Sequence, residues 1–328
     1  PFVVLLRRKW RWEFAYILAL CTTYILYVIT VGGDVLPAFR FFVPLLPFIY
    51  LFAQESFVEL HEWARTRGPA LVYLTLSLPI VLAYITCAIP YQYIRDAWMG
   101  ENALVLKMAR TGKWIKEHST AGTVVAASTI GALAYYSDVP LIDMLGLTDE
   151  TIAHHPEKIF GLESSWKERN YNATYVLSRN PEWICFSTGI KPSAFAERAL
   201  FTRADFRRSY YPYYFHPSAD AYGVEVIYRR SEALRGDVRS PVEPRIDNEF
   251  INYYYEGMNR KRRDPEAAME YFRQSLALAP ADFALIYQDI ADIYGSQGNN
   301  GQALKYYEQA LRIDNKMIIS HVELGYYA

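Results

Sequence analysis

From Pro69 to Ile94 the chain runs without one charged side chain. A stretch of that length and composition fits a helix through lipid. A hydrocarbon core of about 30 Å needs about 20 apolar residues at about 1.5 Å per residue. A second uncharged run covers Phe14 to Val31, eighteen residues. It is preceded by Arg7, Arg8, Lys9 and Arg11, with Trp10 and Trp12 among them. Basic residues before a span favour the cytoplasm and Trp favours the interface, so this span is expected to run from inside to outside. Between the two lies Phe41 to Gln54, shorter and interrupted by Pro44 and Pro47. It reads as a span continuing to about residue 58 or 60, or as a re-entrant segment. Glu55 to Gly68 is amphipathic and suits a cytoplasmic loop. The membrane region is thus expected at 1–94, with spans near 14–31, 41–58 and 69–90. Three spans place everything after about residue 91 outside the cytoplasm, in a bacterial inner membrane; a re-entrant second run inverts that.

Composition separates this region from the rest. Hydrophobic residues make up 52 % of the chain, yet its mean hydropathy is -0.04. The average therefore combines an apolar N-terminal third with a polar remainder. The net charge of -1 gives no bulk basicity to attract nucleic acid. Three cysteines at unrelated positions form neither a disulfide framework nor a zinc pattern. No small-residue cleavage site follows the first span, which argues against a signal peptide. The chain opens on Pro1 inside an apolar run and stops at Ala328 inside a helical pattern, so a longer parent protein is expected.

The first two runs are joined by Val31-Gly32-Gly33-Asp34-Val35-Leu36-Pro37-Ala38-Phe39-Arg40. Paired glycines allow a tight turn. Asp34 and Arg40 place opposite charges at a bilayer edge, and an Arg there can engage a phosphate through its planar fork of donors. The pair is equally suited to a purely structural loop. This Gly-Gly-Asp loop, followed by an Arg and a Pro-interrupted apolar run, resembles the later spans of GT-C glycosyltransferases, most closely the mycobacterial terminal arabinofuranosyltransferase-like group. The likeness extends from the first span to about Pro217. It implies a multi-span enzyme that transfers sugar from a polyprenyl-phosphate donor to an envelope glycan on the outer face. The catalytic carboxylate of such enzymes lies in an early outward loop. By the resemblance this chain holds part of the donor-side wall and an outward domain, and no catalytic residue.

Residues 95–234 read as a small α/β domain. Thr123–Ser128 and Pro140–Met144 are strand-like and flank a helical Thr129–Tyr136. Glu182–Ser187 and Val224–Tyr228 add strands, and a mostly parallel sheet is expected. The segments Gly131–Tyr136 and Ile142–Asp149 are similar to the outward domain of the same group, so Asp143, Tyr135 and Tyr136 become sugar-contact candidates. Asp143 can equally cap the turn that follows its strand. Thr148, before Asp149 and Glu150, suits a helix cap. His154-His155 has no third ligand near it, so no metal site is expected and no cofactor is evident. Tyr210, Tyr211, Tyr213, Tyr214 and Phe215, broken by Pro212, read as an aromatic loop that packs on the domain, lies at a membrane surface or meets a glycan. Asn172-Ala173-Thr174 matches a glycosylation sequon.

Residues 235–247 form a polar linker, and 248–328 turn helical. Ala268, Phe272, Ser275 and Pro280 recur 35 residues later as Ala303, Tyr307, Ala310 and Asn315. Tyr287, Ile290, Ala291 and Tyr294 supply the large, apolar, small and aromatic positions of a tetratricopeptide (TPR) first helix. A third repeat begins at Leu324-Gly325. The expected fold is therefore multi-domain: transmembrane helices, a small α/β domain and an α-α TPR solenoid. Such arrays usually bind a protein or peptide in a concave groove, and a spacer role is the alternative. The expected partners are membrane lipid, a glycan acceptor and a protein, with no nucleic acid. Two functions follow: part of a membrane glycosyltransferase, or a non-catalytic membrane-anchored TPR scaffold.

Overall fold

A computed structural model describes residues 12–32, 40–88, 92–162, 170–217, 223–231 and 247–327. The chain divides into two compact units, Pro1–Asn102 and Ala103–Ala328.

The first unit contains α1 (Trp12–Thr30), a 3-10 turn (Arg40–Leu45), α2 (Leu46–Arg65) and α3 (Pro69–Ala88). Pro44 sits in the 3-10 turn and Pro47 in the first turn of α2, where a missing N–H breaks no helical bond. The stretch Arg40–Arg65 is thereby one apolar helical run. The expected loop at Glu55–Gly68 is corrected: the helix continues to Arg65, because apolar residues keep the helical period between Glu55, Glu59 and Glu62. Only Thr66–Gly68 turns the chain, with Gly68 at φ 137° and its N–H donating to the Ala64 carbonyl at 3.2 Å. α2 and α3 then pack as a hairpin, joined by His61 Nδ1 and Thr75 Oγ1 at 3.1 Å. All three helices are long and apolar enough to cross a membrane. Leu74, Leu76, Ile80 and Tyr84 on α3 are exposed, as lipid-facing side chains would be. Together these features point to membrane association.

Most of α4 (Gln92–His118) belongs to the second unit, which continues β1 (Val125–Ala127), α5 (Gly131–Ser137), β2 (Leu141–Asp143), α6 (Glu150–His154), α7 (Ala173–Ser178) and β3 (Trp183–Cys185). Then come α8 (Phe195–Phe201), α9 (Ala204–Ser209), β4 (Tyr210–Phe215) and β5 (Glu225–Arg230). The sheet order is β2-β1-β3-β5-β4. β1 pairs in parallel with β2 and β3, whereas β5 is antiparallel to both β3 and β4. The mostly parallel sheet expected above is thus a mixed one, because the chain returns from β4 into β5 as a neighbouring strand.

The aromatic loop at Tyr210–Phe215 is likewise corrected: it is β4, in register with β5 from Tyr210↔Arg230 to Phe215↔Glu225. Pro212 is tolerated because β4 is an edge strand with a partner on one side only. Strand alternation divides the core. Val125, Ala127, Trp183 and Cys185 pack with Met108, Trp114 and Leu133 on one face, while Ala126, Ile184 and Phe186 join Ala173, Val176 and Phe206 on the other. α6 is capped by Asp149, whose side chain accepts from Ile152 N at 3.1 Å; Thr148, the expected cap, instead binds Asp143.

Five helices follow: α10 (Phe250–Arg260), α11 (Pro265–Leu278), α12 (Leu285–Ser296), α13 (Asn300–Ile313) and α14 (Ile318–Tyr327). α10 packs on α11 and α12 on α13 as TPR-like hairpins. Asp264 and Asn299 cap α11 and α13 by accepting from Ala267 N and Gln302 N. The hairpins share one hydrophobic core with the sheet. Phe201, Phe206 and Tyr228 belong to the same buried cluster as Phe250, Tyr254, Phe283 and Met317. The Phe201 ring centroid lies 5.8 Å from that of Phe283 and 6.5 Å from that of Tyr254.

Candidate functional site

Two places in the second unit are built in the way sites are built. One is the carboxyl edge of β1 and β3; the other is the buried face of the helical hairpins.

The path from β1 through α5 to β2 lies on one side of β1, and the return through α7 reaches β3 on the other. The crevice outside β1 and β3 is therefore a topological switch point, where open α/β sheets commonly bind ligands. Here it is filled by the protein itself. The Glu197 carboxylate, 0 % exposed, takes a hydrogen bond from the Ser128 hydroxyl and others from Ser187 N and Ala194 N, both at 3.0 Å. Burial raises the Glu197 pKa, and these hydrogen bonds only partly oppose that. Lys107 donates to the Ser187 carbonyl at 3.1 Å and, with Arg110, faces Glu225. Burial lowers the Lys107 pKa against the pull of Glu225. Cys185 lies at the end of β3, but burial pushes its thiol up to about 12, which leaves it protonated and unreactive. A sealed, saturated carboxyl of this kind braces β1 and β3 against the first turn of α8; it does not reach a substrate.

The hairpin interior holds a second polar network. Tyr254 donates to Asp289 Oδ2 at 2.7 Å, and Lys261 Nζ reaches Asp289 Oδ1 at 2.6 Å and Asp292 Oδ2 at 2.5 Å. Tyr307 closes the chain on Asp292 Oδ1 at 2.5 Å. Burial works against the Lys261 charge, but the Asp289 and Asp292 carboxylates outweigh it and hold its pKa above the usual lysine range. Tyr214 of β4 lies within the field of the same groups, and burial raises its pKa. The buried Ile251, Tyr254 and Leu285 carry this face of the first helices into the core shared with the α/β part. Arg207 and Arg208 of α9 both bind Asp282, in the turn before α12, at 2.6 and 3.1 Å.

The residues singled out by sequence fall in different places. Ala268, Phe272, Ala291, Ala303, Tyr307 and Ala310 are buried between the paired helices. Pro280 lies in the turn after α11. Tyr287 and Tyr294 are half-buried, and both stack on Tyr306. Asp143 is 1 % exposed, and its two oxygens accept from Leu145 N at 3.0 Å and Thr148 N at 2.7 Å. Tyr135 and Tyr136 form an edge-to-face pair on α5, with Tyr135 open to solvent and Lys113 Nζ 5.1 Å from the Tyr136 ring. These two tyrosines do not converge on Asp143, which is turned into its own loop. Arg40 stands at the start of the 3-10 turn, 5.6 Å from the Phe41 ring; Asp34 lies outside the described residues. Asn172 caps α7, accepting from Tyr175 N and donating to the His155 carbonyl. No cluster of three or more metal-ligating side chains occurs among the described residues.

Sequence reasoning missed Gly257, Glu197 and Lys261. Gly257 was findable: Gly257, Ala291 and Gly325 recur 34 residues apart, all small. A Cβ at Gly257 would lie 2.5 Å from the Phe272 ring.

Comparison with known families gives two matches. Residues 92–230 match a domain of unknown function (DUF8728), which here runs from the first residue of α4 to the last of β5. Residues 284–317 match a tetratricopeptide repeat, covering α12 and α13. No curated protein and no solved structure matches the chain.

Proposed function

We propose that this protein is a membrane-anchored interaction protein. Its three apolar helices hold it in a bacterial inner membrane, and its α/β domain and TPR hairpins are displayed together on the outer side to engage a protein partner. The observation that supports this most is the TPR match at 284–317, because such hairpins characteristically serve protein recognition. The inner face of the first two hairpins is packed against the sheet, so the partner meets a different surface. Exposed polar side chains on the second helices of the hairpins offer one, among them Glu270 and Arg273 on α11 and Lys305 and Glu308 on α13. A photo-crosslinking residue at Arg273 or Lys305 should give a discrete adduct in cells, and one at the exposed Tyr135 of α5 should not. Equal labelling from the hairpins and from Tyr135, or from neither, counts against this reading. A periplasm-active enzyme inserted between residues 231 and 247, with the hairpins kept, tests the orientation.

A second reading makes the parent protein a GT-C-type glycosyltransferase that uses a polyprenyl-phosphate sugar and a glycan acceptor. It rests on the resemblance around Asp34 and Arg40, and neither family match bears on it. Incubating the full protein with radiolabelled polyprenyl-phosphate sugars tests it; no transfer to envelope glycan with any of them would leave the interaction reading alone.

A further inference from the structure

A cleft of about 380 Å³ opens where the end of α7, the start of α9 and the β4–β5 edge meet. It is lined by Thr174, Ser178, Asn180, Arg203, Asp205 and Arg230, among others. This places it toward the amino end of β3 and apart from the hairpin interior, whereas the Glu197 brace sits at the carboxyl ends of β1 and β3.

The two arginines are differently committed. Arg203 Nη2 is engaged by Glu157 and by the Thr174 hydroxyl. Its Nε, on the same planar fork, is shielded from solvent and has no hydrogen-bond partner among the described residues. A nitrogen closed to water is closed to a ligand oxygen as well, so Arg203 meets the cleft through the accessible part of its side chain, which is 39 % exposed. Arg230 ends β5, and its backbone N–H bonds the Glu182 carbonyl at 3.0 Å. No carboxylate lies within ion-pair distance of its side chain among the described residues. Two guanidinium groups from separate elements thus line one cleft with donors to spare. Guanidinium forks match the oxygens of phosphate and carboxylate, and phosphate supplies acceptors in more than one plane. The remaining lining is of another kind. Asp205, the Asn180 amide and the Ser178 and Thr174 hydroxyls suit a hydroxylated body. The volume exceeds what a bare anion fills and falls at the lower end for small-molecule sites.

We infer that this cleft binds a phosphomonoester carried on a small polyol, with the phosphate on Arg203 and Arg230 and the hydroxyls on Asp205 and Asn180. The site is independent of the proposed partner surface on the hairpins. The same chemistry occurs in a free metabolite and in the headgroup of a phosphatidic-acid-type lipid.

The test is calorimetric titration of the full chain in detergent with glycerol 3-phosphate, inorganic phosphate and glycerol, at constant ionic strength. Saturable binding is expected for glycerol 3-phosphate, weaker binding for phosphate and none for glycerol. Arg203→Gln also removes the Glu157 pairing and can perturb folding, so Arg230→Gln carries the test. It should weaken glycerol 3-phosphate at least tenfold while leaving the melting temperature unchanged. Absence of saturable binding to either phosphate compound, or equal binding by Arg230→Gln, overturns the inference. Repeating the titration in nanodiscs with phosphatidic acid separates the sources. Loss of the signal there assigns the site to a lipid headgroup, and its persistence to a free ligand; both support the site.

Discussion

Tyr254 on α10 donates a hydrogen bond of 2.7 Å to Asp289 on α12, so the first helices of the two hairpins are tied through a polar contact inside an apolar core. Lys261 completes it from the turn between α10 and α11. Tyr254→Phe should cost about 1–3 kcal/mol, because Asp289 loses a donor without regaining water. Lys261→Met should cost more, about 3–5 kcal/mol, since it leaves two carboxylates facing each other with no cation. Thermal melts of the two variants, followed by near-ultraviolet circular dichroism, check the order. Equal melting would show that the lysine is not the keystone.

Gly257 makes a separate prediction about hairpin packing. With 2.5 Å between an added Cβ and the Phe272 ring, Gly257→Ala must push α10 from α11 or turn the ring out of its rotamer. Overpacking of this sort costs about 1–3 kcal/mol. Phe272→Leu alone should also destabilise, by vacating volume. Their combination should recover part of the sum, and a double-mutant cycle reads the coupling directly. Strict additivity would mean that the helices separate freely, contrary to the contact described.

The shared core predicts cooperative unfolding. Arg207, with its side chain 1 % exposed, binds Asp282 through Nε and the Phe201 carbonyl through Nη1. Arg207→Ala should therefore lower hydrogen-exchange protection in β3 and α12 together rather than in α9 alone. Protection lost in the hairpins but kept in β3 would show two independently stable parts.

The hairpin interior was legible in the sequence because its signal is periodic: Ala268, Phe272, Ala303 and Tyr307 recur at one interval, and burial follows that interval. The apolar helices were legible because length and lack of charge suffice. β4 was not, since consecutive aromatics around Pro212 look like a loop until its edge position is known. The Glu197 brace was also hidden. Ser128 is 69 residues from Glu197 and meets it only because β1 and β3 are neighbours. Asp143 is a contrasting case, a residue placed at a strand end by sequence whose oxygens the next few residues already occupy. Nor does any local pattern reveal that the hairpins, read as a module behind a linker, bury their inner face on the sheet.

Glu197 carries the pH prediction. Burial raises its folded pKa above that of an ordinary carboxyl, so the folded state holds the proton more tightly than the unfolded chain does. An unfolded glutamate titrates near ~4.3. Below that pH both states are protonated and this group imposes no penalty. As pH rises toward the raised folded value, the unfolded state ionises first and stability falls, by up to about 1.4 kcal/mol per pH unit within that window. Paired carboxylates elsewhere act in the opposite sense, so wild-type stability alone does not isolate the effect. Glu197→Gln does: it cannot ionise, and its one oxygen still accepts on one side, from Ser187 N in place of Oε1 or from Ala194 N in place of Oε2, so the lost bond costs an amount that does not vary with pH. Denaturant unfolding of both proteins in detergent from about pH 4 to about pH 8 should show the wild type losing ground to the variant as pH increases. A constant difference across that range would mean that Glu197 titrates alike in the folded and the unfolded chain, with hydrogen bonds from Ser128, Ser187 and Ala194 that fully offset its burial.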